Sequence, residues 1–361
     1  MMATKRFLIL GCAMLAIVVG AFCSPRLEAQ AGGPKYEVDA SWPKPLPARW
    51  VLGPVGAVCV DAQDHVFILN RQGVLDVDLD AGEKAPPVIE FDPAGNVVNS
   101  WRQDAFDKDL ITNFHACHFD EEGNVWILST DSGITRKFSH DGSKLLLQIG
   151  KNDVVDSSDG TLKGKPLNSN TAQFFSPADI NVDRKNGDIY VDDGDGAGNR
   201  RIAVMDRTGQ FLRQWAPEDT KTIHCMALAY DGLMYLCNRA EGRLQVYDQM
   251  GNFKKNIEIP WKPYTPVASS DEKRKSGTAG AAVAIALSRD ANQRLMYVIN
   301  QNDSEIEILD RQSDKVLSSF GRSGHFPGDF DQPLSIAVDF KGNVYVTENR
   351  GKRVQKFKIV N

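Results

Sequence analysis

The chain has 361 residues, of which 42% are hydrophobic and 25% are charged, and its formal net charge is -5. This composition excludes an intrinsically disordered chain, which would have few apolar residues and a high net charge for its length. The acidic balance argues against a nucleic-acid partner, because phosphate backbones bind basic surfaces.

The N-terminus has the pattern of a secretory signal peptide. Two basic residues precede an apolar run at 7–22, and a small-residue cleavage pattern follows at 29–31. The run is short for a membrane-spanning helix. We therefore predict that residues 1–31 are removed and that residues 32–361 form a secreted or periplasmic domain without a stable membrane span. Cleavage would remove three basic residues and one acidic residue, which changes the formal charge from -5 to -7.

The rest of the chain repeats one strand-turn-strand pattern six times. Each copy has an apolar run ending near an Asp, a polar turn, and a second run with an aromatic residue or Met. The copies lie at 58–68, 118–127, 180–191, 227–236, 285–298 and 336–346. Their turns contain residues that tolerate positive φ, as tight hairpins require. Each copy therefore predicts a β-hairpin.

Further strand pairs lie between these hairpins, for example at 202–206 and 211–215, and raise each unit to about four strands. The repeats are 59, 63, 48, 59 and 49 residues apart, longer than the ~40–45 of compact propeller repeats, so we expect inserted loops. One of them, at 262–279, is predicted to be solvated. The pattern predicts an all-β fold, a single six-bladed β-propeller with four-stranded blades.

The first strand of each propeller blade lines the central channel, so equivalent positions form a ring. Alignment of the six copies predicts one ring, which consists of Gly56, His115, Ala178, His224, Val283 and Leu334. His115 and His224 would then converge from the second and fourth blades. Two interpretations stay open: the histidines bind a metal ion, or they only hydrogen-bond water or backbone carbonyls.

The other histidines have weaker predictions. His118 is separated from His115 by an odd number of residues, so we expect it on another face of the strand. His65 and His140 fall in predicted turns and are expected to be solvated. His325 lies in the loop that leads into the last blade, where it could shape the channel mouth.

Arginines follow the second strands of several blades. Arg71 is expected to project over the channel entrance, where its planar cation could hold a carboxylate, with inter-blade ion pairing as the alternative. Inter-blade ion pairing is the prediction for Arg201, Arg239, Arg243, Arg350 and Arg353. The acidic, glycine-rich segment 192–199 is interpreted as a plain turn, since it lacks the flanking helices and distal Glu of an EF-hand.

Four cysteines follow the predicted signal peptide: Cys59, Cys117, Cys225 and Cys237. Cys225 and Cys237 flank one predicted hairpin. Export to an oxidising compartment would allow a disulfide between them, but buried free thiols are equally consistent with the sequence.

The last unit, 328–357, resembles the NHL repeat, with the turn and strand Gly342-Asn343-Val344-Tyr345 at its centre. Within that superfamily, most of residues 50–360 resemble the propeller of peptidyl-α-hydroxyglycine α-amidating lyase. Arg71 matches the first-blade arginine that contacts substrate in that family. His115 and His224 match two of its three zinc-binding histidines.

The chain departs from the family pattern at other site positions. Leu334, after Pro333, stands where the third zinc histidine would be, and Asp195 stands near the position of the catalytic tyrosine. The resemblance implies zinc as a candidate cofactor, His115 and His224 as metal ligands, and Arg71 and Asp195 as catalytic residues.

Two functions follow from these observations. The first is a monomeric propeller that binds a small or peptidic ligand at the channel mouth, with metal-dependent lyase chemistry of the amidating type in its catalytic form. That reaction would leave an amide and glyoxylate. The second is a non-enzymatic scaffold for protein interactions, in which the blade faces matter and the channel does not.

Overall fold

The computed structural model describes residues 32–106, 113–165, 167–195, 199–261 and 280–360. The predicted signal peptide, 1–31, and the predicted solvated loop, 262–279, lie outside the described residues. Residues from Gly33 onward form one compact unit. Within the described ranges, no helix is long and apolar enough to cross a membrane.

Nearly all regular structure in the described residues is β-strand. The strands up to the end of the second blade are β1 (Lys35–Val38), β2 (Trp50–Val51), β3 (Val55–Val60), β4 (Val66–Asn70), β5 (Glu83–Lys84), β6 (Val88–Phe91), β7 (Val97–Trp101), β8 (Phe114–Phe119), β9 (Val125–Ser129), β10 (Ile134–Phe138) and β11 (Leu145–Ile149). The third and fourth blades contain β12 (Asp179–Val182), β13 (Ile189–Asp193), β14 (Arg201–Met205), β15 (Phe211–Trp215), β16 (Ile223–Leu228), β17 (Leu233–Asn238), β18 (Arg243–Asp248) and β19 (Phe253–Glu258). The last two contain β20 (Ile285–Leu287), β21 (Leu295–Asn300), β22 (Glu305–Asp310), β23 (Val316–Phe320), β24 (Pro333–Val338), β25 (Val344–Glu348) and β26 (Arg353–Val360). Short 3-10 helices lie at Pro47–Arg49, Asp76–Leu79, Gln103–Ala105 and Arg239–Glu241.

All of these strands except β2 and β5 form six four-stranded sheets, which confirms the predicted propeller and its blade count, and β2 and β5 form a separate parallel pair. Five blades are continuous in sequence: β3-β4-β6-β7, β8 to β11, β12 to β15, β16 to β19, and β20 to β23. The sixth combines β24, β25 and β26 with β1, which pairs antiparallel with β26. Strand β1 therefore closes the ring. The sequence pattern did not indicate this closure, because β1 has no hairpin partner next to it in the chain.

The first strands of the six blades, β3, β8, β12, β16, β20 and β24, surround a central channel with a volume of about 860 Å³. The second strands are the most buried: every residue of β4 and of β9 is buried. A second strand has apolar side chains on both faces because each face packs against a neighbouring blade, and burial of each large side chain contributes roughly 1.5–3 kcal/mol.

The repeated Asp at the end of each first run has a structural role. The carboxylates of Asp61, Asp120 and Asp339 each accept hydrogen bonds from two backbone N–H groups of their own turn. Gly123 and Gly342 then take φ values of 78° and 79°, which allow the chain to reverse. The Asp therefore satisfies turn donors that have no ladder partner.

Two disulfides link inner strands. Cys225 and Cys237 join β16 to β17 within the fourth blade, so the disulfide alternative of the sequence analysis is the correct one. Cys59 and Cys117 join β3 to β8. That second bond was not predicted, because the two residues are 58 positions apart and meet only where the first two blades pack together.

Candidate functional site

Two histidines from the second and fourth blades meet at one mouth of the channel. The ring centroids of His115 and His224 are 4.8 Å apart. His115 Nδ1 donates to the carbonyl of Ala178, and His224 Nδ1 donates to the carbonyl of Val283, both at 2.8 Å. The structure thus brings four of the six predicted ring positions into contact. Each histidine binds the carbonyl of the ring residue from the following blade, Ala178 for His115 and Val283 for His224.

Both histidines lie at β-bulges. The pairing register of β8 shifts around His115, and that of β16 shifts around His224. A bulge adds one residue to a strand and re-aims the side chain there. The bulge also explains why the prediction for His118 was wrong. His118 Nε2 accepts a hydrogen bond from the backbone N–H of Val182 at 3.3 Å, so His118 is directed toward the third blade like His115, because the extra residue breaks the alternation of faces.

The two imidazoles are neutral near pH 7. Burial lowers the pKa of His115 to about 4, with the Asp195 charge opposing the shift and the Arg71 cation adding to it. Burial, and then the neighbouring His115, holds the pKa of His224 well below its ordinary value. Because each Nδ1 proton is bound to a carbonyl, each Nε2 presents a lone pair.

Asp195 completes this group, which we call the mouth cluster (His115, Asp195 and His224). Its Oδ2 atom lies 3.8 Å from Nε2 of His115, and one ligand atom from each of the three residues lies within 4.8 Å of the others. Two lone pairs and a carboxylate therefore face one another, and the described residues show no hydrogen-bond donor to the Asp195 carboxylate. Such a donor set fits a divalent metal ion, since zinc and similar ions bind imidazole and carboxylate groups.

The third donor of the mouth cluster comes from a different blade than the family resemblance implied. Leu334 lines the channel and offers no ligand atom, whereas Asp195 follows β13 of the third blade. The predicted catalytic role of Asp195 stays a prediction, but its position beside both histidines is also suited to metal ligation.

Arg71 lies beside the mouth cluster. Its Nε donates to the carbonyl of Phe114 at 2.8 Å, and its Nη1 donates to Oδ1 of Asn349 at 3.2 Å. Burial lowers the pKa of this guanidinium, and the charges of Asp131 and Asp195 oppose that shift. Arg71 is thus anchored to the second and sixth blades and directed toward the mouth.

Arg239, for which the sequence predicted inter-blade ion pairing, instead lies close enough to the mouth cluster for its charge to act on both histidines. It directly follows β17, as Arg71 directly follows β4. Burial lowers the pKa of Arg239, and Asp195 is the carboxylate that opposes the shift. Its Nε atom is buried and has no hydrogen-bond partner among the described residues. The sequence could have indicated Arg239 as a site residue, because it stands directly after the second strand of its blade, as Arg71 does.

The other four arginines for which inter-blade ion pairing was predicted do form ion pairs. Those pairs lie within one blade or its connections, so the inter-blade part of the prediction was wrong. The pairs are Arg201 with Asp156 and Asp193, Arg243 with Glu241, Arg350 with Asp331, and Arg353 with Glu348. The interpretation of 192–199 as a plain turn also needs correction at its start, since Asp192 and Asp193 end β13 and are buried.

At the opposite end of the channel, two predicted solvated histidines contact buried carboxylates. His65 Nδ1 lies 2.6 Å from Oε1 of Glu90, and His140 Nε2 lies 2.9 Å from Oδ2 of Asp61. Both side chains are partly solvated, as predicted, but their contacts with buried carboxylates were not predicted. His325 is exposed, with its Nδ1 3.8 Å from Asp331.

No protein-family model matches this chain. NHL repeat-containing protein 3 from Homo sapiens is 26% identical over 221 residues, which cover 59% of this chain and 57% of that protein. Peptidyl-glycine alpha-amidating monooxygenase A from Xenopus laevis is 24% identical over 359 residues, which cover 89% of this chain and 33% of that protein. The chain thus spans little more than half of the first relative and a third of the second.

Solved structures share the fold at low sequence identity. Virginiamycin B lyase from Staphylococcus aureus has a TM-score of 0.53 at 10% identity, with 90% of this chain and 100% of that chain covered. An auxiliary nutrient binding protein from Bacteroides thetaiotaomicron has a TM-score of 0.56 at 11% identity, with 85% and 69% covered. The chain is a homologue of NHL repeat-containing protein 3 and of the peptidyl-glycine alpha-amidating monooxygenases, and it folds as a six-bladed β-propeller.

Proposed function

We propose that this chain is an exported, metal-binding propeller that takes a carboxylate-bearing small molecule or peptide at its channel mouth and acts on it by lyase chemistry. One observation carries the proposal: two imidazole lone pairs and the carboxylate of Asp195 converge, without a hydrogen-bond donor to that carboxylate in the described part of the chain. This arrangement of acceptors is repulsive unless a cation lies among them.

The residues that would hold the ion are His115, Asp195 and His224, with zinc as the candidate. The backbone carbonyls of Ala178 and Val283 fix the imidazole tautomers, as hydrogen-bond partners of metal-ligating histidines commonly do. A metal ion bound there would supply Lewis-acid polarisation of a ligand oxygen.

The charges around the mouth favour an anionic ligand. Arg71 and Arg239 bring two guanidinium groups to the mouth, where the charges of Asp131 and Asp195 act on Arg71 and the charge of Asp195 acts on Arg239, while both histidines are neutral. A divalent ion bound at the mouth cluster would therefore leave the mouth positively charged. Guanidinium groups bind carboxylates through paired N–H donors. The Nε atom of Arg239, which has no hydrogen-bond partner in the part of the chain that the structure describes, is a donor available for this purpose. A ligand would therefore place its carboxylate between the arginines and a hydroxyl or carbonyl oxygen over the mouth cluster.

In the amidating-type reaction, a substrate hydroxyl loses its proton to a base as its C–O bond becomes a carbonyl. The electron pair of the C–N bond stays on nitrogen, which takes up a proton, so the products are an amide and glyoxylate. In this proposal, the carboxylate of Asp195 accepts the hydroxyl proton. Asp195→Asn separates this role from ligation, because an amide oxygen can still bind metal but is not a base.

The test combines metal analysis with glyoxylate release from an N-acyl-α-hydroxyglycine. We expect the purified protein to hold zinc at the mouth cluster and the His115→Ala/His224→Ala variant to hold one zinc ion fewer per chain. His118→Ala, the control histidine of the same channel, should hold as much zinc as the unsubstituted protein. A metal-free protein with unchanged ligand binding would contradict the proposal. A partner protein that binds equally well to the double variant would instead favour the scaffold function.

Export is supported by the two disulfides, which persist in oxidising compartments, together with the predicted signal peptide. Sequencing the N-terminus of the protein recovered from the periplasm or medium should give a start at Gly32. Recovery of intact residues 1–31 on a cytoplasmic protein would contradict export.

A further inference from the structure

The first blade has an unusual group at the end of the channel opposite the mouth cluster. We call it the blade-1 corner (Asp61, His65 and Glu90). Asp61 lies five residues beyond Gly56, the first-blade member of the predicted ring, so about 16 Å of extended strand separates the two levels. The corner and the mouth cluster share no residue.

Comparison with the second blade shows what is unusual. There, Lys137 pairs with Trp126 in the strand register, and its Nζ lies 2.9 Å from the turn carboxylate of Asp120. In the first blade, Glu90 pairs with Phe67 at the same register position. Glu90 thus occupies the place of the lysine and brings a second carboxylate toward Asp61, where the second blade has a cation.

The two carboxylates of the corner are buried and have histidines as their side-chain ion partners. Asp61 is 2% exposed and Glu90 is 5% exposed. Among the described residues, no lysine or arginine forms a salt bridge with either carboxylate. The charge of Asp61 is one of those that oppose the burial-induced lowering of the pKa of Arg289, but the guanidinium donates to the main-chain carbonyls of Val60 and Asp61. Two buried carboxylates without a directly paired lysine or arginine are costly, because burial removes the water that stabilises their charge.

The geometry of the corner suits a metal ion. One ligand atom each from Asp61, His65 and Glu90 lies within 4.8 Å of the others. Asp61 is held from both sides: Oδ1 accepts from the backbone N–H of His65, and Oδ2 contacts Nε2 of His140 from the second blade. The side chains of His65 and His140 are 30% and 39% exposed, which leaves a path for an ion to enter.

We propose that the blade-1 corner is a second metal site, which binds a divalent transition-metal ion such as zinc through Asp61, His65 and Glu90. A tetrahedral shell with bonds of about 2 Å separates its ligand atoms by about 3.3 Å. The present contact of 2.6 Å between His65 and Glu90 would therefore open by about 0.7 Å. The bound ion would neutralise both carboxylates and fix β3, β4 and β6 to one another, with His140 extending that link to the second blade.

The experiment measures zinc and cobalt(II) binding by equilibrium dialysis, with the full chain in a His115→Ala/His224→Ala background that removes the mouth cluster. We expect one ion per chain. Glu90→Lys, which recreates the arrangement of the second blade, and Asp61→Asn should each abolish binding. Asp120→Asn, the same turn carboxylate in the second blade, is the matched control and should keep the ion. Calcium should not compete, because it requires six to eight oxygen ligands.

Histidine nitrogen NMR of the unsubstituted protein supplies a readout that does not depend on the folding of a variant. Added zinc should shift the imidazole signals of His65 and leave those of His325 unchanged. Binding that survives Glu90→Lys, or His65 signals that titrate with pH but ignore zinc, would overturn the proposal. The latter outcome would identify the corner as an imidazolium held between two carboxylates. Failure here leaves the mouth cluster untouched, and loss of zinc from the mouth leaves the corner untouched.

Discussion

The mouth cluster and the blade-1 corner both bring imidazole and carboxylate groups together, but they differ in what the imidazole Nδ1 atoms contact. In the mouth cluster, backbone carbonyls bind the Nδ1 protons of His115 and His224, so the lone pairs stay free and point to one place. In the corner, His65 uses its Nδ1 on Glu90 directly. The mouth cluster is therefore organised before any ion arrives, whereas the corner must open a contact. Preorganisation lowers the cost of binding, so we expect the mouth to hold metal more tightly.

The largest expected effect is on the free energy of unfolding, and it concerns the disulfide that links the two regions. The Cys59–Cys117 disulfide lies two residues from Asp61 on one strand and two residues from His115 on the next. Its loop of 58 residues predicts that Cys59→Ser/Cys117→Ser lowers the free energy of unfolding by about 4 kcal/mol. Urea denaturation of both proteins measures this change. Cys225→Ser/Cys237→Ser, which opens a 12-residue loop, should cost about 3 kcal/mol. A smaller loss from the longer loop would contradict the expected order.

The next effect sharpens the comparison of affinities. His224→Ala removes one ligand of the mouth cluster and should weaken zinc binding there by more than ~100-fold, beyond the 10–100-fold typical of outer-shell changes. Competition with a chromophoric chelator measures the affinity. In the unsubstituted protein, the same chelator should remove the corner ion before the mouth ion. Removal in the reverse order would show that the organised lone pairs of the mouth cluster do not make it the tighter site.

A third prediction concerns the ligand at the mouth. Arg239→Ala should weaken binding of a carboxylate ligand by roughly 10–100-fold, because a hydrogen bond to a charged group is worth about 1.5–3 kcal/mol. Isothermal titration calorimetry with an N-acyl-α-hydroxyglycine measures the change. Arg243→Ala is the matched control, since that arginine follows the same strand connection but pairs with Glu241. Equal losses in both variants would remove Arg239 from the site.

The last prediction concerns the pH dependence of stability. It rests on a buried carboxyl group that avoids the cost of a buried charge by staying protonated, rather than by pairing with a cation. Both oxygens of Asp192 are buried without a hydrogen-bond partner among the described residues. Burial, and then the charges of Asp179, Asp195 and Asp193, raises the pKa of Asp192 well above its ordinary value. Its stabilising contribution is thus complete below about pH 4 and is lost as the pH rises toward the folded-state pKa.

Asp192→Asn should remove this slope, which is at most about 1.4 kcal/mol per pH unit. Urea denaturation from pH 4 to pH 8 measures it, and the variant should gain stability relative to the unsubstituted protein as the pH rises. Asp188→Asn, a partly exposed carboxylate next to Arg213, is the control. Parallel pH profiles for Asp192→Asn and the unsubstituted protein would contradict a raised pKa.

Much of the mouth cluster could be predicted because the repeat sets its geometry. Equivalent positions in successive blades must reach the same level of the channel, so alignment of the repeats was sufficient to place His115 and His224 together. The orientation of His118 could not be predicted, because a bulge at His115 shifts the alternation of faces without a clear sequence signal. Arg239 could be found only by comparing its chain position with that of Arg71.

The blade-1 corner could not be predicted by reading the repeats as equivalent. His65 and His140 fall in polar turns, where a solvated side chain is the ordinary expectation, and Glu90 lies on a third strand 25 residues beyond His65. What matters is the departure of one blade from its neighbours. The replacement of a lysine position by Glu90 is visible only once the strand registers are known.

The sequence by itself determined the six hairpins, the four-stranded blades and the ring of inner-strand positions, because strand alternation and turn chemistry are local properties. Only the tertiary structure decided that β1 closes the sixth blade, that Cys59 meets Cys117, that Asp195 joins the two histidines, and which charges are left without partners. Those features depend on how neighbouring blades pack and on the registers of their strands, and neither can be inferred from the sequence of a single repeat.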